Sequence, residues 1–526
     1  MSLIIIILLV ALLPCTSNCF LPTDQRHWRN LALTELEEAL NMELNLGTAK
    51  NVILFIGDGM DANTVTATRL HKGGEAHRLV FEKFPHVGLL KTYSANKMVP
   101  DSAASATALL CGVKANQETI GVDATVAHKN CISSLNPTAR LQSLGALALQ
   151  AGKSTGFVTT TRVTHATPGP MYAHSAERTW ECEDRMPADA RECKDIARQL
   201  VEDWPGRDFN VIMGGGMQSL VSNVSGTPEN PLDTWSCRRQ DGRNLVETYK
   251  EDKETRGLKY HVATNNRELE DLDVDNTDYV LGVFANGHLP YDHVRDHGPN
   301  GAPGIYDMVE AAIKVLRKNK NGYLLMVEGG NIDMAHHRGW ARRAIDETAA
   351  MELAVQVANN MTDEKDTLIV VTSDHGHTLS INGYPYRGSS VFGIAQASDY
   401  DGVNYTTLSY STGGPDAFQF YVDTEDNQTK VLRRDPSLED TEDYQYIQVA
   451  GIRAQENTHG GGDVVVYARG PQAHLFHNVH EQHYVYHAIS HIAKLGPFSA
   501  VPGSSFTSTS STTVIFICLA FVQHVL

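Results

Sequence analysis

The chain has 526 residues, 20% of them charged and 42% hydrophobic, an ordinary globular composition with ample material for a large buried core. Its formal net charge is -18 and it carries no basic stripe, which excludes a nucleic-acid-binding surface and gives no general attraction to anions. Any anion site here must bring its own local positive charge, and bound cations would supply it.

From the N-terminus, residues 3–13 form an unbroken apolar run followed by Pro14 and small or polar residues. The run is short for a membrane span, so residues 1–19 read as a secretory signal peptide. Residues 25–46 read as one or two amphipathic helices. Strands are expected at 52–56, 156–159, 210–213, 323–327, 367–372 and 463–467, most of them continuously apolar, as suits strands covered on both faces. Helical patterns lie between them, at 140–150, 308–317 and 343–357. The alternation predicts an α/β fold, three layers deep, with a large and mainly parallel central sheet. Residues 383–457, rich in Tyr, Gly, Asp and Thr, read as an inserted β-rich surface subdomain, so the main domain is expected at 20–382 and 458–503. At the C-terminus Gly503, Ser504 and Ser505 precede a Ser/Thr spacer and an apolar tail over 514–526, the order of a GPI-attachment signal, with 504–526 removed.

Secretion permits disulfides. Of eight cysteines, Cys15, Cys19 and Cys518 fall in or beside the processed segments. Cys111, Cys131, Cys182, Cys193 and Cys237 remain, an odd set that leaves at least one free thiol, expected at Cys111 after its apolar stretch. Sequons at Asn223, Asn360, Asn404 and Asn427 agree with secretion and predict exposed surface at each.

The polar residues fall at the ends of strands, where open α/β sheets bind their ligands. The strand at 52–56 runs into Gly57-Asp58-Gly59, that at 323–327 into Glu328-Gly329-Gly330-Asn331-Ile332-Asp333, and that at 367–372 into Ser373-Asp374-His375-Gly376-His377. So many acids at one edge would repel one another unless cations lie among them. Asp333 and His337, four residues apart, share a helical face, and with His459 form a nitrogen/oxygen set that suits catalytic zinc. Asp374 and His375 with Asp58 could make a second zinc set, and Glu328 adds a hard ligand for magnesium. Taken singly, each acid could be a cap and each imidazole a satisfied core histidine. Their shared placement argues otherwise. Asp101 and Ser102 open a small-residue helix, where Asp101 or Ser102 could simply cap it. In the alternative Ser102 is a nucleophile at a helix N-terminus, activated by a metal, since no Gly-x-Ser-x-Gly is near.

Together, Gly-Asp-Gly-Met from Gly57, Pro-Asp-Ser-Ala-Ala-Ser-Ala-Thr from Pro100, Val327-Glu328-Gly329-Gly330 with Ile332-Asp333, and Ser373-Asp374-His375 with Thr458-His459-Gly460 resemble the motifs of animal alkaline phosphatases, in order, over about residues 50–470. The resemblance implies a phosphate monoesterase working through a phosphoserine, with two zinc ions and one magnesium ion per subunit. It implies Ser102 as nucleophile; Asp58, Asp374 and His375 at one zinc; Asp333, His337 and His459 at the other; Asp58, Thr167 and Glu328 at magnesium; and His165 behind them. Arg178 would clamp phosphate bidentately, where a surface salt bridge is its plain alternative. The resemblance pairs Cys131 with Cys193 and leaves Cys182 for Cys237. It further implies a GPI-anchored homodimer on the extracellular face of the cell membrane, with the inserted subdomain, Tyr384 and the N-terminal helix at the interface, acting on small phosphate monoesters.

Three departures stand out. Met334 occupies a position where the vertebrate relatives carry a histidine. The vertebrate calcium site is degraded: Phe284 is present, but Ala285 stands for an acid, Asn300 is near another ligand position, and Glu229 is a remnant, so calcium is not expected. No cysteine lies in 494–501, so the vertebrate C-terminal disulfide is absent. The rival activities are a diesterase or sulfatase of the same broad metal-dependent class, against which Ser102 and Arg178 argue, and a non-catalytic surface receptor, against which the full ligand set argues.

Overall fold

The computed structural model describes residues 24–418, 420–425 and 428–499. Ten strands form its central sheet: β1 (Asn51–Gly57), β2 (His86–Lys91), β3 (Ser154–Arg162), β4 (Val211–Gly215), β5 (Tyr260–Ala263), β6 (Tyr279–Val283), β7 (Tyr323–Gly329), β8 (Thr367–Ser373), β9 (Val464–Arg469) and β10 (Asn478–Glu481), in the spatial order β10-β2-β9-β8-β1-β7-β3-β4-β6-β5. All adjacent pairs are parallel except that β9 runs against both β8 and β2. β1 sits between β7 and β8, with Gly57 level with Gly329 on one side and Ser373 on the other. That register delivers Asp58 and Asp374 to one edge at one level, with Glu328 two residues below, opposite Ile56.

The apolar strands are buried on both faces because helices cover both. Val52, Leu54 and Ile56 of β1 pack into one core with Leu109, Phe157, Phe209 and Ile489, under the helices Ser102–Cys111, Leu144–Gln150 and Tyr484–Ile492. Ile53 and Phe55 point the other way, into a core with Met308, Ile313, Met351 and Val371, under Ile305–Leu316 and Ala341–Met361. The result is the three-layer α/β/α architecture expected. Four strands escaped the sequence reading: β2, β5, β6 and β10. β2 alternates buried and exposed residues as a half-covered edge region does, and β5 and β10 are only four residues long.

Small sheets lie outside the main one: Leu379–Ile381 with Leu408–Gly413 and Ala450–Arg453, Ile394–Ala397 with Asn404–Thr406, and Phe420–Glu425 with Gln428–Arg433. The first of these contributes Leu379, Leu408, Tyr410 and Ala450 to a core shared with Val391, Phe392 and, from a main-domain helix, Ala341 and Ile345. The helix Gln25–Leu40 buries none of its residues and exposes Trp28, Leu31, Leu33, Leu36 and Leu40. Among the described residues no helix is long and apolar enough to cross a membrane.

Cys131 is bonded to Cys193 and Cys182 to Cys237, with Cα atoms 5.9 and 5.8 Å apart. Cys111 is a free, buried thiol whose Sγ donates to the Pro170 carbonyl at 3.4 Å, and burial pushes its ionisation well above the ordinary thiol range. Asn223 and Asn360 are exposed. Asn404 is half-buried instead, because it sits in a strand and its Nδ2 donates to Asp435 Oδ1 and Ser437 Oγ, each at 3.3 Å. The sequon at Asn427, the segments 1–19 and 504–526, and Cys15, Cys19 and Cys518 lie outside the described residues. A thiol reagent should leave the native mature protein unlabelled and modify Cys111 alone after denaturation without reductant. Labelling of Cys182 or Cys237 under those conditions would contradict the second bridge.

Candidate active site and metal centre

Asp58 follows β1, Glu328 ends β7, and Asp374 and His375 follow β8, so all four share the carboxyl edge of the sheet. Gly59 makes the first turn possible: its φ is +71°, and a Cβ there would stand 2.7 Å from the His377 ring. Asp333 and His337 ride on the short helix Asn331–His337 that β7 runs into, and His459 comes from the pairing of His459–Gly460 with Gly376–His377.

Three groups of potential ligands result. Asp58, Asp374 and His375 form one, all buried; Asp333, His337, His377 and His459 form the second; Asp58, His165 and Glu328 form the third, also buried. In each group one ligand atom per residue lies within 4.8 Å of all the others. His375 Nε2 is 3.4 Å from Asp58 Oδ1 and 3.2 Å from Asp374 Oδ2. His337 Nε2 is 3.3 Å from Asp333 Oδ2, His459 Nε2 is 3.4 Å from Asp333 Oδ1, and the two imidazole nitrogens are 3.1 Å apart. Backbone carbonyls hold the far nitrogens: Asn457 accepts from His337 Nδ1 at 2.7 Å and Pro100 from His459 Nδ1 at 2.8 Å. Those bonds fix the tautomer that leaves both Nε2 atoms as ligands.

The charges ask for cations. Burial first, and then Asp374, Asp333 and Glu328 around it, raise Asp58 well above the carboxylate range. Burial likewise pushes Glu328 up to about 7, and burial with Asp333 nearby pushes Asp374 up to about 6. Burial would raise Asp333 too, but His337, His377 and His459 outweigh it and hold Asp333 well below. Glu328 Oε1 and His165 Nδ1 are buried without any hydrogen-bond partner. Orphaned ligand atoms beside mutually repelling carboxylates fit a divalent ion among Asp58, His165 and Glu328, and the mixed nitrogen and oxygen donors of the other two groups fit zinc.

Ser102 is the first residue of the buried helix Ser102–Cys111. Its Oγ is 3.3 Å from Asp58 Oδ1 and 3.1 Å from His375 Nε2. Asp101 does cap that helix, accepting from Ala104 N at 3.2 Å, but the same carboxylate also accepts from Glu118 N at 3.1 Å and from Arg178 Nη1 at 3.1 Å. Arg178 therefore has a buried partner beside Ser102 rather than a surface one. Burial works against its charge, yet Asp101, Glu118 and Asp58 hold its ionisation above even the usual arginine range. Thr167 Oγ1 lies 3.4 Å from Asp58 Oδ2.

The alkaline phosphatase family model matches residues 49–495. The chain belongs to the alkaline phosphatase family. It is 43% identical over 486 residues to an alkaline phosphatase of Gadus morhua, covering 90% of this chain and 98% of that one. It is 42% identical over 506 residues to the tissue-nonspecific isozyme of Homo sapiens, covering 93% of each. The fold matches the alkaline phosphatase structure of Thermus thermophilus with a TM-score of 0.58 at 22% identity, over 87% of this chain and 94% of that one. This alkaline phosphatase hydrolyses phosphate monoesters through a phosphoserine, and its three ligand groups answer to two zinc ions and one magnesium ion.

The geometry adds to the residues read from sequence. His377 joins the second ligand group: its Nε2 meets Asp333 Oδ1 at 2.5 Å and its Nδ1 meets Asn457 Oδ1 at 2.6 Å. His165, expected behind the ligands, has a ring nitrogen among the carboxylates of Asp58 and Glu328. The adjacency of His377 to Ser373-Asp374-His375 was the signal available for it; Asn457 had none. The positions named for calcium carry few side-chain oxygens. Ala285 has no side-chain oxygen and its carbonyl accepts from Gly216 N and Met217 N, each at 3.0 Å, Glu229 and Asn300 are exposed, and Asn286 bonds to protein, its N donating to Asn230 Oδ1 and its Nδ2 to Asn230 O, both at 2.8 Å. Beside His337 opens a cavity of about 280 Å³, lined by Met334, Trp340, Trp235, Pro415, Ala417 and Glu456. A larger one of about 580 Å³, at Arg295 and Tyr306, contains none of the ligands and is not the reaction centre.

His377→Ala should weaken zinc retention roughly 10- to 100-fold, the usual cost of losing the partner that orients a ligand. Zinc release to a competing chelator would measure it, and an unchanged release curve would show that Asp333 needs no such support.

Proposed function

We propose that Ser102 is the residue phosphorylated in each turnover and that Arg178 clamps the phosphoryl group. The placement of Ser102 Oγ between Asp58 Oδ1 and His375 Nε2, at a helix N-terminus, carries the reading. Asp58, Asp374 and His375 would hold one zinc; Asp333, His337 and His459 the other; Asp58, Thr167 and Glu328, with His165 beside them, the magnesium. Bound there, the ions would depress the serine's pKa, neutralise the carboxylates and stabilise the entering and departing oxygens.

The chain's own groups do the positioning. Asp58 and His375 fix the direction of Ser102 Oγ towards an in-line attack on phosphorus. The first backbone N–H groups of the helix and the Arg178 donors not taken by Asp101 receive the phosphoryl oxygens. The alcohol departs on the side of His337 and His459, where Met334, Trp235 and Trp340 form an apolar wall. Water enters along the same path and frees Ser102. Because recognition ends at the phosphoryl group, the alcohol is loosely specified, and a diester, with one more bulky substituent at phosphorus, fits poorly beside Arg178.

The finer organisation follows the same resemblance. Residues 20–382 and 458–503 make the catalytic unit and 383–457 the inserted subdomain. A GPI anchor holds the protein on the outer face of the cell membrane, with glycans at Asn223, Asn360, Asn404 and Asn427. A homodimer is supported by the row of exposed apolar residues on Gln25–Leu40, Leu33, Leu36 and Leu40 among them, and by Tyr384, which is 90% exposed.

Ser102→Ala should abolish acid-stable phosphoserine and lower kcat on the order of 10³-fold or more. Stoichiometric phosphoserine elsewhere in that variant would overturn the assignment. Arg178→Ala should lower kcat/KM on an aryl phosphate about a hundredfold, ~2.7 kcal/mol of transition-state binding. Chelation should abolish activity, and zinc with magnesium should restore it. Phosphatidylinositol-specific phospholipase should release the activity from cells; activity that stays with the membrane would refute the anchor.

A further inference from the structure

One buried imidazole beside the metal centre belongs to none of the three ligand groups. His336, on the helix Asn331–His337, is wholly buried, and its ring lies against that of His377, with centroids 4.8 Å apart and planes inclined at 29°. Both of its nitrogens are engaged. Nδ1 meets the Tyr410 hydroxyl at 2.7 Å and Nε2 meets Thr64 Oγ1 at 3.0 Å. Thr64 and Tyr410 are buried as well.

The bonds have a single direction. Thr64 Oγ1 donates its one hydrogen to Asp61 Oδ1 at 3.0 Å, so towards His336 it accepts, and Nε2 carries the ring hydrogen. Nδ1 is then the acceptor for the Tyr410 hydroxyl. A chain of donors therefore runs from Tyr410 through His336 and Thr64 to Asp61, which also caps the helix Ala62–Gly73 by accepting from Thr64 N at 2.9 Å. The acid end returns to the metal centre. A Cβ on Gly376 would stand 2.8 Å from that of Asp61, so glycine lets the backbone before His377 rest on this acid.

We propose that His336 is a positioning residue for the zinc group of Asp333, His337 and His459, and that through Tyr410 the segment 383–457 sets how firmly that zinc is held. The proposal rests on that ligand set as read above. His377 is tied at its edges, Nε2 to Asp333 Oδ1 and Nδ1 to Asn457 Oδ1, and such a ring can still tilt about the line joining its two bonds. The face of His336 removes that freedom, and the Asp333 carboxylate is held with it. A ring bonded at both nitrogens cannot turn to follow a tilt, as an apolar side chain in its place could. Tyr410 lies in the strand Leu408–Gly413, which pairs with Leu379–Ile381 and Ala450–Arg453, so the hold on His336 originates in the small sheet.

The test follows zinc release from the metal-loaded glycoprotein to a chromogenic chelator. Y410F and T64V should each release one zinc about tenfold faster than the wild type, the lower end of the cost of losing a group that orients a ligand. T64S, which keeps the hydroxyl, should release at the wild-type rate. So should T406V, which removes a buried hydroxyl bonded to Leu408 O and Gln448 Oε1 in the same segment and leaves the chain of donors intact. Excess zinc should return the kcat and KM of Y410F on an aryl phosphate to wild-type values, which also shows that the variant folds. Wild-type release from both Y410F and T64V, or release from T406V as fast as theirs, would overturn the proposal. H459A should shed the same zinc faster than any of these, and wild-type release from H459A would refute the ligand set itself.

Discussion

Four carboxylates, Asp58, Glu328, Asp333 and Asp374, are buried within one edge of one sheet, and the rest of the molecule is arranged so that this is possible. Left alone they would oppose folding, since burial and mutual repulsion lift Asp58, Glu328 and Asp374 towards protonation. Divalent ions turn the repulsion into binding. The chain supplies imidazoles, from His337, His375, His459 and His165, where the acids alone would give too hard and too negative a site for zinc.

The constraint explains where the structure spends its rigidity. The register of β1 with β7 and β8 fixes the relative positions of Asp58, Glu328 and Asp374 at once. Asp101 ties the helix of Ser102, the backbone at Glu118 and the Arg178 guanidinium into one unit, so nucleophile and clamp move together. Asn457 holds His337 by its carbonyl and His377 by its side chain, which joins the β-rich segment to the metal centre. Catalysis of phosphoryl transfer consists largely of position and charge compensation, and these bonds supply position.

The sequence by itself determined the sheet-forming strands at the centre, the acids and imidazoles at their ends, and the small-residue helix that begins at Ser102. These were legible because a strand buried on both faces is continuously apolar and a ligand breaks the pattern where it ends. It could not reveal β2, whose alternating pattern belongs to a partly covered strand, or the four-residue β5 and β10. Nor could it say which of Asp101's partners matter, that His377 supports Asp333, or that His165 turns its ring into the third ligand group. Tertiary structure alone decided these, because they depend on segments apart in the chain meeting at hydrogen-bond distance, as in His377 with Asp333 (44 residues) and Arg178 with Asp101 (77 residues), and no local pattern encodes such a meeting.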